Sequence, residues 1–217
     1  MKKIGALVTI LLILIVSVVI SFIYLDRPIS AFFHYYPVPG ADTFFKGISF
    51  LGNPNLILMV GVIFVILGLY GTFKKTILPA WNWFFWGGTT LVTGAIVWLV
   101  KNIVCRSRPD AFLEEQVYGY SLFCFDWASF SFPSGHVAMA TALGLSAMVL
   151  FKHPWINLLV VFYIPLVALS RVVVVDHFFS DVLGGVAVGI IVVFVMKALF
   201  NLFVITSENE REKNESE

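Results

Sequence analysis

Three short stretches in the second half of the sequence combine cationic, histidine and carboxylate side chains in a pattern that suits phosphate chemistry. They are KNIVCRSRP (Lys101–Pro109), PSGH (Pro133–His136) and SRVVVVDHFFSD (Ser170–Asp181). Arginine and lysine surround a phosphoryl group with charge-assisted hydrogen bonds, and a helix N-terminus adds backbone N–H donors. Two histidines supply a nucleophile and an acid–base group. The three stretches therefore predict a phosphate site.

The individual residues divide into two groups by the chemistry that each can perform. The candidate phosphate-binding residues are Lys101, Arg108, Arg171, Ser134 and Gly135, and the candidate catalytic residues are His177, His136 and Asp181. The carboxylate of Asp181, four residues after His177, can hold that imidazole in one tautomer and stabilise its charged form. Metal-dependent phosphatases need clustered carboxylates, whereas the acids of the neighbouring loop are scattered, so we expect neither a metal nor another cofactor.

Each stretch alone also has a purely structural interpretation. Lys101 and Arg108 can extend from a helix end toward the membrane surface, and Ser134 can cap a helix. His177 and Asp181 can form a hydrogen-bonded pair on one helix face. What favours a common site is that all three stretches emerge on the same face of the molecule once the helices are counted.

The elements that must position these residues are membrane-spanning helices. The chain has 217 residues, of which 59% are hydrophobic and 12% charged, about half the charged fraction of soluble domains. Six apolar runs are near or above the roughly 20 residues that cross a bilayer as a helix. They are Ile4–Leu25, Asn55–Phe73, Trp81–Val104, Ser134–Phe151, Trp155–Val175 and Phe178–Val204. The expected fold is an all-α bundle of six transmembrane helices within residues 1–206, followed by a disordered charged tail, 207–217.

An even number of spans places both termini on one side of the membrane. That side carries eight cations, Lys2, Lys3, Lys74, Lys75, Lys152, Lys197, Arg211 and Lys213, and the other side carries six, Arg27, Lys46, Lys101, Arg106, Arg108 and Arg171. The positive-inside rule then places both termini in the cytoplasm and the three stretches on the extracytoplasmic face. The net charge of +1 argues against a nucleic-acid partner.

Both cysteines of the chain, Cys105 and Cys124, lie in the loop that follows the third apolar run. A disulfide is chemically permitted outside the cytoplasm and would tie this loop down. Two unpaired thiols are the alternative. Two cysteines alone make a poor metal site.

The three stretches resemble the signatures of the type-2 phosphatidic acid phosphatase superfamily. Its K-x6-RP pattern matches Lys101–Pro109, its PSGH pattern matches Pro133–His136, and its SR-x5-H-x3-D pattern matches Ser170–Asp181. The resemblance implies that His177 attacks phosphorus to form a phosphohistidine, which Asp181 orients. It also implies that His136 protonates the leaving oxygen and then activates water. The phosphoryl oxygens would be bound by Lys101, Arg108, Arg171 and the Ser134–Gly135 segment.

The same resemblance implies a multi-pass lipid phosphatase of a bacterial-type inner membrane, acting without metal on a monoester or pyrophosphate from the extracytoplasmic side. Candidate substrates are undecaprenyl pyrophosphate, phosphatidylglycerol phosphate, phosphatidate and a glycolipid phosphate. A lipid phosphotransferase that uses the same phosphohistidine is the alternative. A non-catalytic lipid-binding or transport protein is a more distant one, because binding an anion requires only the cations. The oligomeric state stays open.

One residue departs from the family pattern. Asp176 stands directly before His177, where family members more often carry a small residue. A carboxylate there has three possible consequences: it raises the pKa of His177, it disfavours an anionic substrate, or it points to solvent.

Overall fold

A computed structural model describes the backbone of residues 2–37, 39–74, 80–124 and 129–216, and the side chains of residues 5–37, 39–73, 80–124 and 129–203. The described part is almost entirely helical. Its helices are α1 (Lys2–Ile20), α2 (Asp26–Tyr35), α3 (Ala41–Leu51), α4 (Pro54–Lys74), α5 (Ala80–Ile103), α6 (Pro109–Glu115), α7 (Gly135–Phe151), α8 (Pro154–Val173) and α9 (Phe179–Ser216). Two short strands, β1 (Val104–Arg106) and β2 (Tyr120–Leu122), form an antiparallel hairpin.

The all-α membrane bundle predicted from the six apolar runs is confirmed. Among the described residues five helical segments are long and apolar enough to cross a membrane. They are Gly5–Tyr35, Ala41–Phe73, Ala80–Ile103, Pro154–Val173 and Phe179–Phe203. The remaining predicted span, Ser134–Phe151, corresponds to α7, an apolar helix of 17 residues.

Helix α7 lies inside the bundle and not at its surface. It packs against α5, α8 and α9, and Val137, Ala138 and Ala140 are fully buried. Its alanines and glycines allow the neighbouring helices to approach closely, as is usual for helix interfaces in membranes. On α9, a Cβ added to Gly189 would lie 2.6 Å from Cβ of Thr141. This packing places the start of α7, and with it the PSGH stretch, among the other helices.

The first span extends beyond the apolar run Ile4–Leu25 that predicts it. A π-helical turn over Ser21–Leu25 follows α1, and α2 continues the segment to Tyr35. The apolar run stops before the polar sequence Asp26-Arg27-Pro28, but the helical segment does not, since proline is tolerated in the first turn of a helix. Asp26 begins α2 and is fully buried. Turns of the π type are often found at functional sites, and this one lies directly before a buried carboxylate.

The hairpin that follows α5 holds the loop between the first two motifs. Cys105 pairs with Ser121 and Arg106 pairs with Tyr120 in its register. Cys105 and Cys124 form a disulfide. Of the two alternatives that the sequence left open, a disulfide or two unpaired thiols, the structure has the disulfide. The hairpin and the disulfide together direct the side chain of Arg106 into the bundle, where it is fully buried.

The opposite end of the bundle carries a second group of residues. Leu7, Lys152 and Lys197 line one groove there, beyond the end of α7. The other six cations expected on the cytoplasmic side, Lys2, Lys3, Lys74, Lys75, Arg211 and Lys213, lie outside the described side chains. Helix α9 continues to Ser216. The orientation in the membrane and the division into 1–206 and a disordered tail 207–217 stay predictions.

Candidate active site

A cavity of about 380 Å³ lies at the end of the bundle where the three motifs meet. Six of the eight predicted site residues line it: Lys101, Arg108, Gly135, His136, Arg171 and His177. The other two, Ser134 and Asp181, are fully buried. Residues from α5, α7, α8 and the adjoining loops thus converge although they are distant in sequence. The prediction that the three motifs share one face is consistent with this arrangement.

The link between α8 and α9 presents His177 to the cavity. Backbone N–H groups of Asp176 and His177 both donate to the carbonyl oxygen of Arg171, at 3.1 and 3.3 Å. Val175 adopts a left-handed backbone conformation with φ of 57°, which is costly for a β-branched residue. The surrounding hydrogen bonds hold this strained turn in place, so the position of His177 is set by the fold and not by local preference.

His177 is 3% exposed, and its Nδ1 lies 3.5 Å from Oδ2 of Asp181. A carboxylate facing Nδ1 favours the tautomer that carries its proton there, which leaves the lone pair of Nε2 available for attack. Burial lowers the pKa of His177 to about 4, against a smaller raising effect of Asp181. The imidazole is therefore neutral at pH 7, as a nucleophile requires. The idea that Asp176 raises this pKa is not supported, because burial dominates.

Asp181 is itself held by three donors. Arg106 Nη1 donates to its Oδ1 at 2.5 Å, and Oδ2 accepts from the hydroxyl of Ser131 at 2.6 Å and from the N–H of Phe178 at 2.9 Å. These contacts fix the carboxylate behind His177. Sequence reasoning missed Arg106 and Ser131, because within each motif they occupy unspecified or flanking positions.

Arg106 joins Asp181 to a second buried carboxylate, Asp26. Its Nη2 lies 2.6 Å from Oδ2 of Asp26, and both side chains are fully buried. Asp26 also accepts from the N–H and the hydroxyl of Ser180, at 2.8 and 2.5 Å. Burial alone would lower the pKa of Arg106, but Asp181, Tyr120 and Asp26 raise it above its usual value. A signal for Asp26 existed in the sequence, since an ionisable residue beside a membrane span is a candidate functional residue.

Aromatic rings enclose this guanidinium. Its Cζ lies 4.4 Å from the ring centroid of Phe178 and between 5.1 and 5.4 Å from those of Phe22, Tyr118 and Tyr120. Burial raises the pKa of Tyr118 above its usual range and that of Tyr120 to about 12. Both phenols are therefore neutral. The rings keep water away from the ion pairs and add cation–π attraction.

The start of α7 differs from an ordinary capped helix. Ser134 is at the N-cap position, but its hydroxyl makes no capping hydrogen bond and has no partner among the described residues. A Cβ added to Gly135 would meet Pro54 Cγ, Val97 Cγ1 and Lys101 Cε at ordinary distances of 3.5 to 4.0 Å. Packing within the protein therefore does not require glycine here. The roles of Ser134 and Gly135 in binding an anion remain predictions.

The three predicted cations are each held by contacts with the protein. Lys101 Nζ donates to the carbonyl oxygen of Phe130 at 2.5 Å. Arg108 Nη1 donates to the carbonyl oxygen of Asp176 at 3.4 Å. Arg171 donates to Oγ of Ser49 through Nη1, and its Nη2 lies 2.5 Å from Oδ2 of Asp176. The carboxylate of Asp176 thus faces a cation and does not simply point to solvent.

Residues outside the three motifs complete the cavity wall. Asn53 comes from the connection between α3 and α4, and Pro54 and Asn55 come from the first turn of α4. The Oδ1 of Asn53 accepts from the N–H groups of Asn55 and Leu56, at 2.9 and 3.3 Å, and so caps α4. Nothing in the spacing of the motifs indicated this contribution.

The helical bundle and the family that its sequence matches make the chain a membrane-embedded lipid phosphate phosphatase. The PAP2 superfamily matches residues 82–204, more than half of the chain, and the chain belongs to this superfamily. All three motifs lie within the match, whereas Asp26 lies before it.

Named relatives agree with this class. The chain is 24% identical over 181 residues to a lipid A 1-phosphatase of Rhizobium johnstonii, covering 80% of this chain and 72% of the relative. It is 34% identical over 108 residues to the decaprenylphosphoryl-5-phosphoribose phosphatase of Mycobacterium tuberculosis, covering 50% of this chain and 55% of that one. A crystal structure of a PAP2-type phosphatidylglycerolphosphate phosphatase from Bacillus subtilis has the same fold. Its TM-score is 0.58 at 24% identity, and the match covers 92% of this chain and 96% of that one.

Proposed function

We propose that the chain removes a terminal phosphate from a membrane lipid through a phosphohistidine formed on His177. The observation that carries the proposal is one cavity lined by two histidines and three cations, with a carboxylate fixed behind His177. Binding alone would need only the cations. A two-step displacement also requires a nucleophile and an acid–base group. His177, with Asp181 behind it, and His136 can supply them.

In the first step Nε2 of His177 attacks phosphorus and forms an N–P bond, while the P–O bond to the lipid breaks. His136 gives its proton to the departing lipid oxygen; for a pyrophosphate the departing group is the lipid monophosphate. Lys101, Arg108 and Arg171 offset the charge on the phosphoryl oxygens. Asp181 stabilises the positive charge that develops on His177.

In the second step a water oxygen attacks the phosphohistidine, and the N–P bond breaks. His136 now accepts the proton from that water, which regenerates both histidines and releases orthophosphate. The sum of the two steps is hydrolysis of the lipid phosphate. If a lipid hydroxyl replaces water, the same steps give the phosphotransferase alternative.

The first prediction concerns the reaction and its independence of metal. Protein purified in detergent should release orthophosphate from at least one of phosphatidate, phosphatidylglycerol phosphate, undecaprenyl pyrophosphate and lipid A, at the same rate with and without EDTA. The described residues contain no group of three or more His, Cys, Asp or Glu placed to hold a metal ion. Released phosphate is measured colorimetrically over time.

The outcomes of this assay separate the candidate functions. Loss of activity in EDTA, restored by a divalent cation, would contradict the metal-independent mechanism. Transfer of phosphate to an added lipid alcohol, with little free orthophosphate, would identify the phosphotransferase. Absence of turnover with every lipid would argue for the non-catalytic alternative.

The second prediction concerns location, which we propose to be a bacterial-type inner membrane with the cavity facing outward. The Cys105–Cys124 disulfide lies on the cavity side of the bundle, and disulfides persist outside the cytoplasm. On intact spheroplasts, a membrane-impermeant maleimide should label Cys124 only after treatment with an impermeant reductant. A variant with Cys105→Ala and Cys124→Ala is the matched control. Labelling before reduction contradicts the disulfide, and labelling only after lysis contradicts the orientation.

A further inference from the structure

Asp176 lies in the cavity wall with the predicted phosphate ligands, although the family pattern does not assign it a role. Its Oδ2 lies 2.5 Å from Nη2 of Arg171, and the two side chains are 46% and 9% exposed. Its carbonyl oxygen accepts from Nη1 of Arg108 at 3.4 Å. One acidic residue therefore contacts both arginines that line the cavity.

We propose that the Asp176 carboxylate competes with the phosphoryl group for Arg171, so that an anion must displace it in order to bind. This inference rests on the proposed function, because it assumes that the cavity receives a phosphate. In the resting state Asp176 serves as the counter-ion of Arg171. In the bound state it swings outward and the phosphate takes its place.

The two partners differ in their freedom to move. The guanidinium of Arg171 is fixed on its far side, because Nη1 donates to the buried Oγ of Ser49. Its Nε is buried and has no hydrogen-bond partner among the described residues. Asp176, in contrast, is nearly half exposed, and its side chain can rotate into water at low cost. The carboxylate is therefore the partner that yields.

The expected consequence is weak binding of small phosphate anions. A dianion can contact Arg171 only after Asp176 has given up its ion pair with that guanidinium, so the lost ion pair offsets part of the attraction between the dianion and Arg171. A lipid substrate gains additional binding energy from its chains and head group, which orthophosphate lacks. Asp176 would thus favour release of the orthophosphate product and limit inhibition by free phosphate.

The test compares orthophosphate binding by the wild type and by Asp176→Asn, which removes the charge and keeps the shape. Thermal unfolding of the detergent-solubilised full chain is followed at increasing orthophosphate, since a ligand that binds only the folded state raises Tm. We expect the variant to bind orthophosphate about five- to tenfold more tightly. The inhibition constant of orthophosphate for lipid hydrolysis should fall by the same factor.

Glu115→Gln is the matched control, because Glu115 is an exposed acid at the end of α6. It removes the same charge from the neighbouring loop and should leave phosphate affinity unchanged. Asp176→Ala provides a second variant if the asparagine variant unfolds. Equal affinity in the wild type and in both Asp176 variants would overturn the competition. Absence of orthophosphate binding in every protein would instead overturn the phosphate site on which the proposed function depends.

Discussion

Replacing His177 by alanine should abolish phosphate release, with kcat falling by more than about 10⁴-fold. The reason is that the imidazole supplies the lone pair that forms the bond to phosphorus. Without it, the first step of the proposed mechanism has no nucleophile. The variant should still fold, because the buried ion pairs of Asp181 with Arg106, and of Arg106 with Asp26, do not include the imidazole. Turnover of the lipid found active in the panel is compared with the wild type at equal protein concentration.

His153→Ala is the matched control, since His153 is exposed at the start of α8, the end of that helix opposite the cavity. It should retain full activity. A direct measurement uses substrate labelled with ³²P in the scissile phosphate, with an alkaline quench that preserves phosphohistidine. Label should stay with the wild-type protein and be absent from His177→Ala. Activity near the wild-type level in the alanine variant would exclude the phosphohistidine.

Charged residues near membrane spans can be predicted from sequence, whereas contacts between distant positions cannot. Lys101, Arg171 and His177 were found because charged and imidazole side chains are costly near a membrane, so their recurrence at three helix ends is informative. Their convergence follows from the helix count. The pairing of Asp181 with His177 was also predicted, but the ion pair that supports Asp181 from behind was not, because Arg106 and Asp26 are 80 residues apart and leave no periodic signal.

Asp176 illustrates the same limit at short range. Its position beside His177 suggested an effect on that imidazole, yet its carboxylate reaches back five residues to Arg171. The left-handed conformation of Val175 turns the chain in this direction. A valine gives no indication of such a turn, since β-branched residues rarely adopt it. The sequence therefore predicted a set of residues that the fold brings together, while the contact between Asp176 and Arg171 depended on backbone geometry.

Replacing Arg106 by methionine should have the second large effect, and on both stability and catalysis. In the wild type, two fully buried carboxylates, Asp26 and Asp181, share the Arg106 guanidinium. The substitution leaves both of them without this counter-ion. Removing one partner of a buried ion pair costs about 3–5 kcal/mol of unfolding free energy. The carboxylate behind His177 also loses its firmest support, and a misplaced catalytic group lowers kcat by about 10²-fold. Thermal unfolding and lipid hydrolysis are measured on the same preparation.

A double variant separates the two effects. Adding Asp26→Asn to Arg106→Met removes one stranded charge, so part of the lost Tm should return while kcat stays low, because Asp181 still lacks its partner. Orthophosphate affinity should change little in either variant, since Arg106 and Asp26 do not line the cavity. That split between unchanged binding and reduced kcat distinguishes a positioning residue from one that merely stabilises the bundle. If kcat recovers together with Tm, Arg106 acts through stability alone, and the support that it gives to Asp181 is not needed for the chemical step.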